Sequence, residues 1–140
     1  MSNTKLLFLS IITSTFFLNG CVNSKTQIVN SESESQLKVR SYQTKTYDNI
    51  SKTKAIRATI AVLQDLGFVI DRADSLTGTV SGTKLDGYKI VMSVTIRQTQ
   101  KSVKVRTNAQ YGLKAIKDPK IYQDFFVSLD KGMFLEKNAL

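Results

Sequence analysis

The chain has 140 residues, 20 lysines and arginines against 11 aspartates and glutamates, and a formal charge of +9. That length allows one modest core, and the basic balance fits either a surface that simply keeps the protein in solution or an acidic partner: phospholipid head groups, lipopolysaccharide, cell-wall polymer or nucleic acid. A single cysteine and no histidine exclude an internal disulfide and remove the commonest general base and metal ligand together.

Met1 to Lys5 carries one positive charge, and Leu6 to Leu18 is a run of Leu, Ile and Phe diluted by Ser and Thr. About 13 residues suits the apolar region of a signal peptide and falls short of the roughly 20 needed to span a bilayer. The run ends in Leu18-Asn19-Gly20-Cys21. This stretch resembles a lipobox, the bacterial lipoprotein signal, with Asn19 the less usual residue at its position. The resemblance implies a signal peptide over residues 1–20, with Leu18, Asn19 and Gly20 read by the peptidase. It implies that Cys21 carries a diacylglycerol thioether and an acylated amine of the palmitate type. Several acyl chains hold a protein on a membrane stably where one does not. Val22, rather than aspartate, follows the cysteine, which by the same resemblance implies the outer membrane of the cell envelope.

Residues 21–36 read as the lipidated cysteine and a flexible tether. Val22 to Gln36 has no period and few large apolar residues, with Ser and Glu alternating over Ser31 to Ser35. A coil of about 15 such residues spans roughly 20 Å.

Residues 37–140 read as one α+β domain. Leu37 to Tyr47 alternates as a strand, with a bulge expected near Ser41. Asp48 to Ser51 offers N-caps for a helix to about Leu66, with Ile56, Ile60, Leu63 and Leu66 on one face and Gly67 as its left-handed cap. Phe68 to Ala73 and Leu76 to Lys84 read as strands, the second with Leu76, Gly78, Val80 and Gly82 inward. Asp86-Gly87 is a hairpin signal. Tyr88 to Arg97 puts Tyr88, Ile90, Met92, Val94 and Ile96 on one face, and Ser102 to Tyr111 repeats the pattern with Val103, Val105, Thr107, Ala109 and Tyr111. Asp118-Pro119 opens a last helix carrying Tyr122, Phe125, Phe126, Leu129 and Met133. The fold class expected is an α+β two-layer sandwich: one antiparallel sheet of about four to five strands with two helices packed on one face.

The run Leu63-Gln64-Asp65-Leu66-Gly67-Phe68-Val69-Ile70-Asp71, with Leu76-Thr77-Gly78 after it, resembles small bacterial lipoproteins of undefined biochemical role. The order of elements is similar to the helix-grip domains of BamC, an accessory lipoprotein of the outer-membrane β-barrel assembly machine. The resemblance covers roughly Ser41 to Phe134. It implies an interaction module, with no catalytic residue to carry over.

No nucleophile has a base beside it, and Thr77 to Thr83 has the wrong glycine spacing for a phosphate loop. Asp71, Asp74 and Asp86 sit where turns and strand ends ordinarily place aspartate. No catalytic residue, metal site or cofactor is expected. The solvated sheet face is different. Lys89, Arg97, Lys104 and Arg106, joined by Lys38 and Arg40 if the first strand pairs there, share one surface with two readings: an ordinary solvated sheet face with edge-protecting lysines, which is the preferred one, or a candidate surface for an acidic partner. The expected partners are the membrane, through lipid on Cys21, and an envelope protein. Nucleic acid is disfavoured, because the aromatics face inward where they cannot stack on bases. The leading expectation is a non-enzymatic accessory protein or adaptor in an outer-membrane complex. The alternative is a small-ligand or lipid-binding protein, if a cavity opens between the last helix and the sheet.

Overall fold

The computed structural model describes residues 35–138, and Leu37–Leu140 forms one compact unit. Leu18, Asn19, Gly20, Cys21 and the tether as far as residue 34 lie outside the described residues. Three successive antiparallel hairpins and a long-range pairing build one sheet in the order β1-β5-β4-β3-β2, with β1 Thr44–Asp48, β2 Val69–Asp74, β3 Thr79–Asp86, β4 Tyr88–Gln98 and β5 Ser102–Tyr111. A two-residue strand β6, Lys114–Ala115, pairs with the end of β5. Residues 35–42 are helical (α1), followed by α2 Lys52–Asp65 and α3 Pro119–Asn138. The chain is an α+β protein whose helices and open sheet share one apolar core.

The period-2 pattern fixes which sheet face is dry. Ile90, Met92, Val94 and Ile96 of β4, and Val103, Val105, Thr107 and Ala109 of β5, are buried, while Lys89, Ser93, Arg97, Lys104, Arg106 and Asn108 alternate with them as exposed residues. Helix α2 starts at Ser51, whose hydroxyl accepts from the Lys54 N–H, and it buries Ala55, Ile56, Ala58, Thr59, Val62 and Leu63. It ends as a Schellman motif. The Phe68 N–H donates to the Leu63 carbonyl and the Gly67 N–H to that of Gln64, with Gly67 at φ +83°. Helix α3 starts at Asp118, whose carboxylate accepts from the Lys120 N–H at 2.9 Å, with Pro119 at the first helical position. Its buried stripe is Tyr122, Phe125, Phe126, Leu129 and Met133. Each such side chain contributes about 1.5–3 kcal/mol by leaving water, so this stripe is the heaviest apolar contribution of any one element. A Cβ at Gly132 would lie 3.2 Å from the Val62 side chain. The glycine therefore lets α3 approach α2 closely, and Arg57 on α2 pairs with Glu136 on α3 at 3.0 Å.

Several expectations need correction. Residues 37–42 are helix, not strand, so β1 is shorter and the expected bulge near Ser41 is absent. The bulge lies instead in β2, between Ile70 and Arg72. Leu76 and Gly78 are not inward strand positions. They belong to the turn between β2 and β3, where the Asp74 carboxylate accepts from the N–H groups of Leu76 and Thr77; Leu76 is 90% exposed. Gly82 does face inward, and the space it leaves is taken by Phe68 and the Val69 carbonyl. Tyr88 and Tyr111 have the inward parity yet are half exposed, because the helices do not cover that end of the sheet.

A candidate anion-binding corner on the open sheet face

The strand register decides which basic residues meet. Arg97 on β4 lies directly opposite Lys104 on β5, and Arg106 lies opposite Thr95 on β4 and Thr44 on β1. Lys104 and Arg106 are two residues apart on one strand, about 7 Å. These three cations, with Thr44 and Thr95, line a depression of about 360 Å³ on the solvated face, and no carboxylate among the described residues lines it. Thr46 stands opposite Lys104 on the other side.

None of the three is ion-paired among the described residues. The ion pairs among the described residues are Lys45 with Asp130, Arg57 with Glu136, Arg72 with Asp74 and Lys120 with Asp124. Cations held at strand spacing repel by on the order of 1 kcal/mol per pair even at the dielectric of water. A bound anion recovers that cost and adds charge-assisted hydrogen bonds from two guanidinium groups, which match carboxylate or phosphate oxygens in pairs. The two threonine hydroxyls supply neutral donors beside them. The arrangement can hold a carboxylate cluster or a phosphate group. It offers no nucleophile and no general base.

The remaining predicted basic residues do not join this corner. Lys89 has the right parity but stands eight residues along β4 from Arg97, roughly 27 Å away at strand rise. Lys38 and Arg40 fall on helix α1, because the segment that carries them is not part of the sheet. Thr44 and Thr95 were legible only as strand residues, since their place in the depression depends on the β1–β5 and β4–β5 registers together.

The aspartates serve structure. Asp71 accepts from the Thr83 hydroxyl at 2.7 Å. Asp74 holds the β2–β3 turn and pairs with Arg72; the backbone N–H of Thr77 is the main cause holding its carboxyl below the usual range. Asp86 sits at the β3–β4 turn, opposite Tyr88. No group of three metal-ligating side chains occurs among the described residues, and no described helix is long and apolar enough to cross a membrane.

A second opening of about 230 Å³ lies where the start of α3 meets the sheet and the end of α2, lined among others by Phe68, Lys84, Asp86, Ile90, Ile121 and Asp124. Deeper in, the layer is filled: Met92 and Phe125 are fully buried, and Phe126 nearly so.

Comparison with known proteins adds a distant likeness. The structure is similar to that of a DUF4468 family protein from Bacteroides ovatus ATCC 8483, at 10% sequence identity and a TM-score of 0.39, over 64% of this chain and 84% of that one. No protein-family model and no curated protein matches the sequence.

Proposed function

We propose that this chain is a lipid-anchored protein of the bacterial envelope, held at the outer membrane through Cys21. Its α+β body is a non-enzymatic docking module for an acidic segment of an envelope protein. The observation that carries the docking reading is the convergence of Arg97, Lys104 and Arg106, none of them ion-paired among the described residues, on one depression of the open face. The lipobox residues Leu18 to Cys21 support the anchor, and the likeness of the element order to BamC-type domains supports an accessory role.

The test is site-specific photocrosslinking in living cells from Thr95, inside the depression, and from Val69, on the far edge strand. The expected result is one defined envelope protein captured from Thr95 through an Asp/Glu-rich segment, lost on charge reversal (Arg97→Glu with Arg106→Glu) and reduced in Cys21→Ala. Equal capture from the charge-reversed chain overturns the reading.

The opening beside α3 favours a second reading, binding of a small ligand or lipid. Native mass spectrometry of protein taken gently from membranes tests it. A defined bound mass that disappears in Ile121→Trp supports it, and bare protein in both samples rules it out.

A further inference from the structure

The end of the sheet opposite the basic corner carries exposed apolar residues that no other described element covers. Leu85 is 78% exposed and Leu113 fully so, while Tyr88 and Tyr111 are each about half exposed. They come from two neighbouring turns. Asp86 pairs with Tyr88 around Gly87, and Tyr111 pairs with Lys114 around Gly112 and Leu113. The β4–β5 register then sets Tyr111 opposite Ile90 and brings the two tyrosine rings edge to face, with centroids 4.5 Å apart. Two exposed lysines flank the group. Lys89 follows the first turn and Lys114 the second; neither forms an ion pair among the described residues, while the Lys84 side chain lies over Gly67 in the opening that Asp86, Asp118 and Asp124 also line. Asp86 is the one carboxylate within either turn.

We infer that this tip docks on an anionic bilayer surface. Protein partners suit it poorly. Hot-spot contacts favour side chains seated in pockets, and interface cores are depleted of lysine, whereas here leucines stand on turns among lysines. A lipid surface accepts both kinds of group at once. Leucine and the tyrosine rings enter the boundary between head groups and acyl chains, tyrosine hydroxyls stay at the polar level, and lysine stems extend to lipid phosphates. The anchor proposed above contributes only proximity to a membrane. The basic corner takes no part, since Arg97 lies nine residues along β4 from Tyr88, roughly 30 Å at strand rise.

The chain has no tryptophan, so a single one reports its own surroundings. Full-length protein carrying Leu113→Trp, or Val69→Trp on the exposed edge strand as the control, is reconstituted into vesicles of phosphatidylglycerol or phosphatidylcholine with acyl chains brominated near the head group. The expected result is blue-shifted, quenched emission from position 113 in the anionic vesicles, weak quenching in the zwitterionic ones, and none from position 69. Lys89→Gln and Lys114→Gln each lower the docked-to-undocked ratio about fivefold. Unquenched, water-like emission from both Leu113→Trp and a second reporter, Tyr88→Trp, overturns the proposal. A blue shift without lipid quenching that grows with protein density also overturns it, and assigns the tip to a second copy of the chain. Flotation of the same samples with and without Cys21→Ala reads the anchor separately, so failure of the anchor and failure of the tip give different results.

Discussion

Arg97 and Lys104 face each other across the β4–β5 ladder with no carboxylate between them. Like charges directly opposite in a sheet work against the fold, so in the docking role proposed above this corner trades some stability for readiness to take an anion. Lys104→Glu reverses the trade. It is expected to raise unfolding free energy by a few tenths of a kcal/mol to about 1 kcal/mol at low salt, with the gain fading as salt rises, while binding of an acidic peptide is lost. Urea titration at two ionic strengths, beside a peptide-binding assay, checks both halves. A variant that is less stable and still binds contradicts the account.

Thr107 is the core position whose chemistry fits least. It is fully buried in β5, and its hydroxyl has no hydrogen-bond partner among the described residues. Thr107→Val keeps the branched shape and removes the desolvated polar atom. The expected gain is about 1–2 kcal/mol, read as a higher urea midpoint at unchanged slope. A loss of stability would mean that the hydroxyl is satisfied in solution.

Tyr47 gives the stability curve a high-pH limb. Its hydroxyl donates to the Asp130 carboxylate at 2.9 Å, and burial first, then that bond and its charge, push its ionisation well above the ordinary tyrosine range. Below about pH 10, the unfolded value, both states hold the proton and the contribution is complete. Above it the unfolded chain releases a proton that the folded chain keeps, so stability falls as pH rises. The difference in unfolding free energy between wild type and Tyr47→Phe is expected to be flat from pH 7 to 9 and to shrink above pH 10. A difference independent of pH would show that Tyr47 ionises as freely folded as unfolded.

Gly78 closes the β2–β3 turn at φ +71°, and its carbonyl accepts from the Ile96 N–H at 2.7 Å. A Cβ there would overlap the Ile96 carbonyl oxygen, whereas one at Gly87, φ +69°, would meet open space. Gly78→Ala is expected to cost about 2–4 kcal/mol, from backbone strain and the displaced strand together, against about 1 kcal/mol for Gly87→Ala. Thermal unfolding of the two variants checks the contrast, and equal losses would place the whole cost in φ.

The middle of the fold was plain in the sequence because β4, β5, α2 and α3 each bury one face, and burial imprints the period. Residues 37–42 were misread for the converse reason. Leu37 is largely exposed, and α1 touches the body through Tyr42, whose ring lies 5.5 Å from that of Tyr122 and whose hydroxyl donates to the Lys117 carbonyl. A segment with so little to bury carries no reliable period, and Leu37-Lys38-Val39-Arg40 alternates as a strand would. The corner was half legible. Parity put Arg97, Lys104, Arg106 and Lys89 on one face, but only the register, set by the turn after Gln98, separates the three that meet from the one that does not. The tip was missed because alternation says which way Tyr88 and Tyr111 point and nothing of where the helical cover stops.

The pairing of β1 with β5 also sets an order of events. Neighbouring contacts assemble β2 to β5 in sequence, each strand on the one before it, but Thr44–Asp48 can pair only once Ser102–Tyr111 exists. A chain threaded N-terminus first through a translocation pore would therefore deliver its first strand long before that strand's partner. Until the last third of the polypeptide follows, the backbone of β1 is an open ladder, available to any other strand nearby. The strand nearest in sequence to the proposed anchor is then the one that waits longest for its partner, and if the chain is exported as proposed, a holding factor would be needed most over residues 44–48.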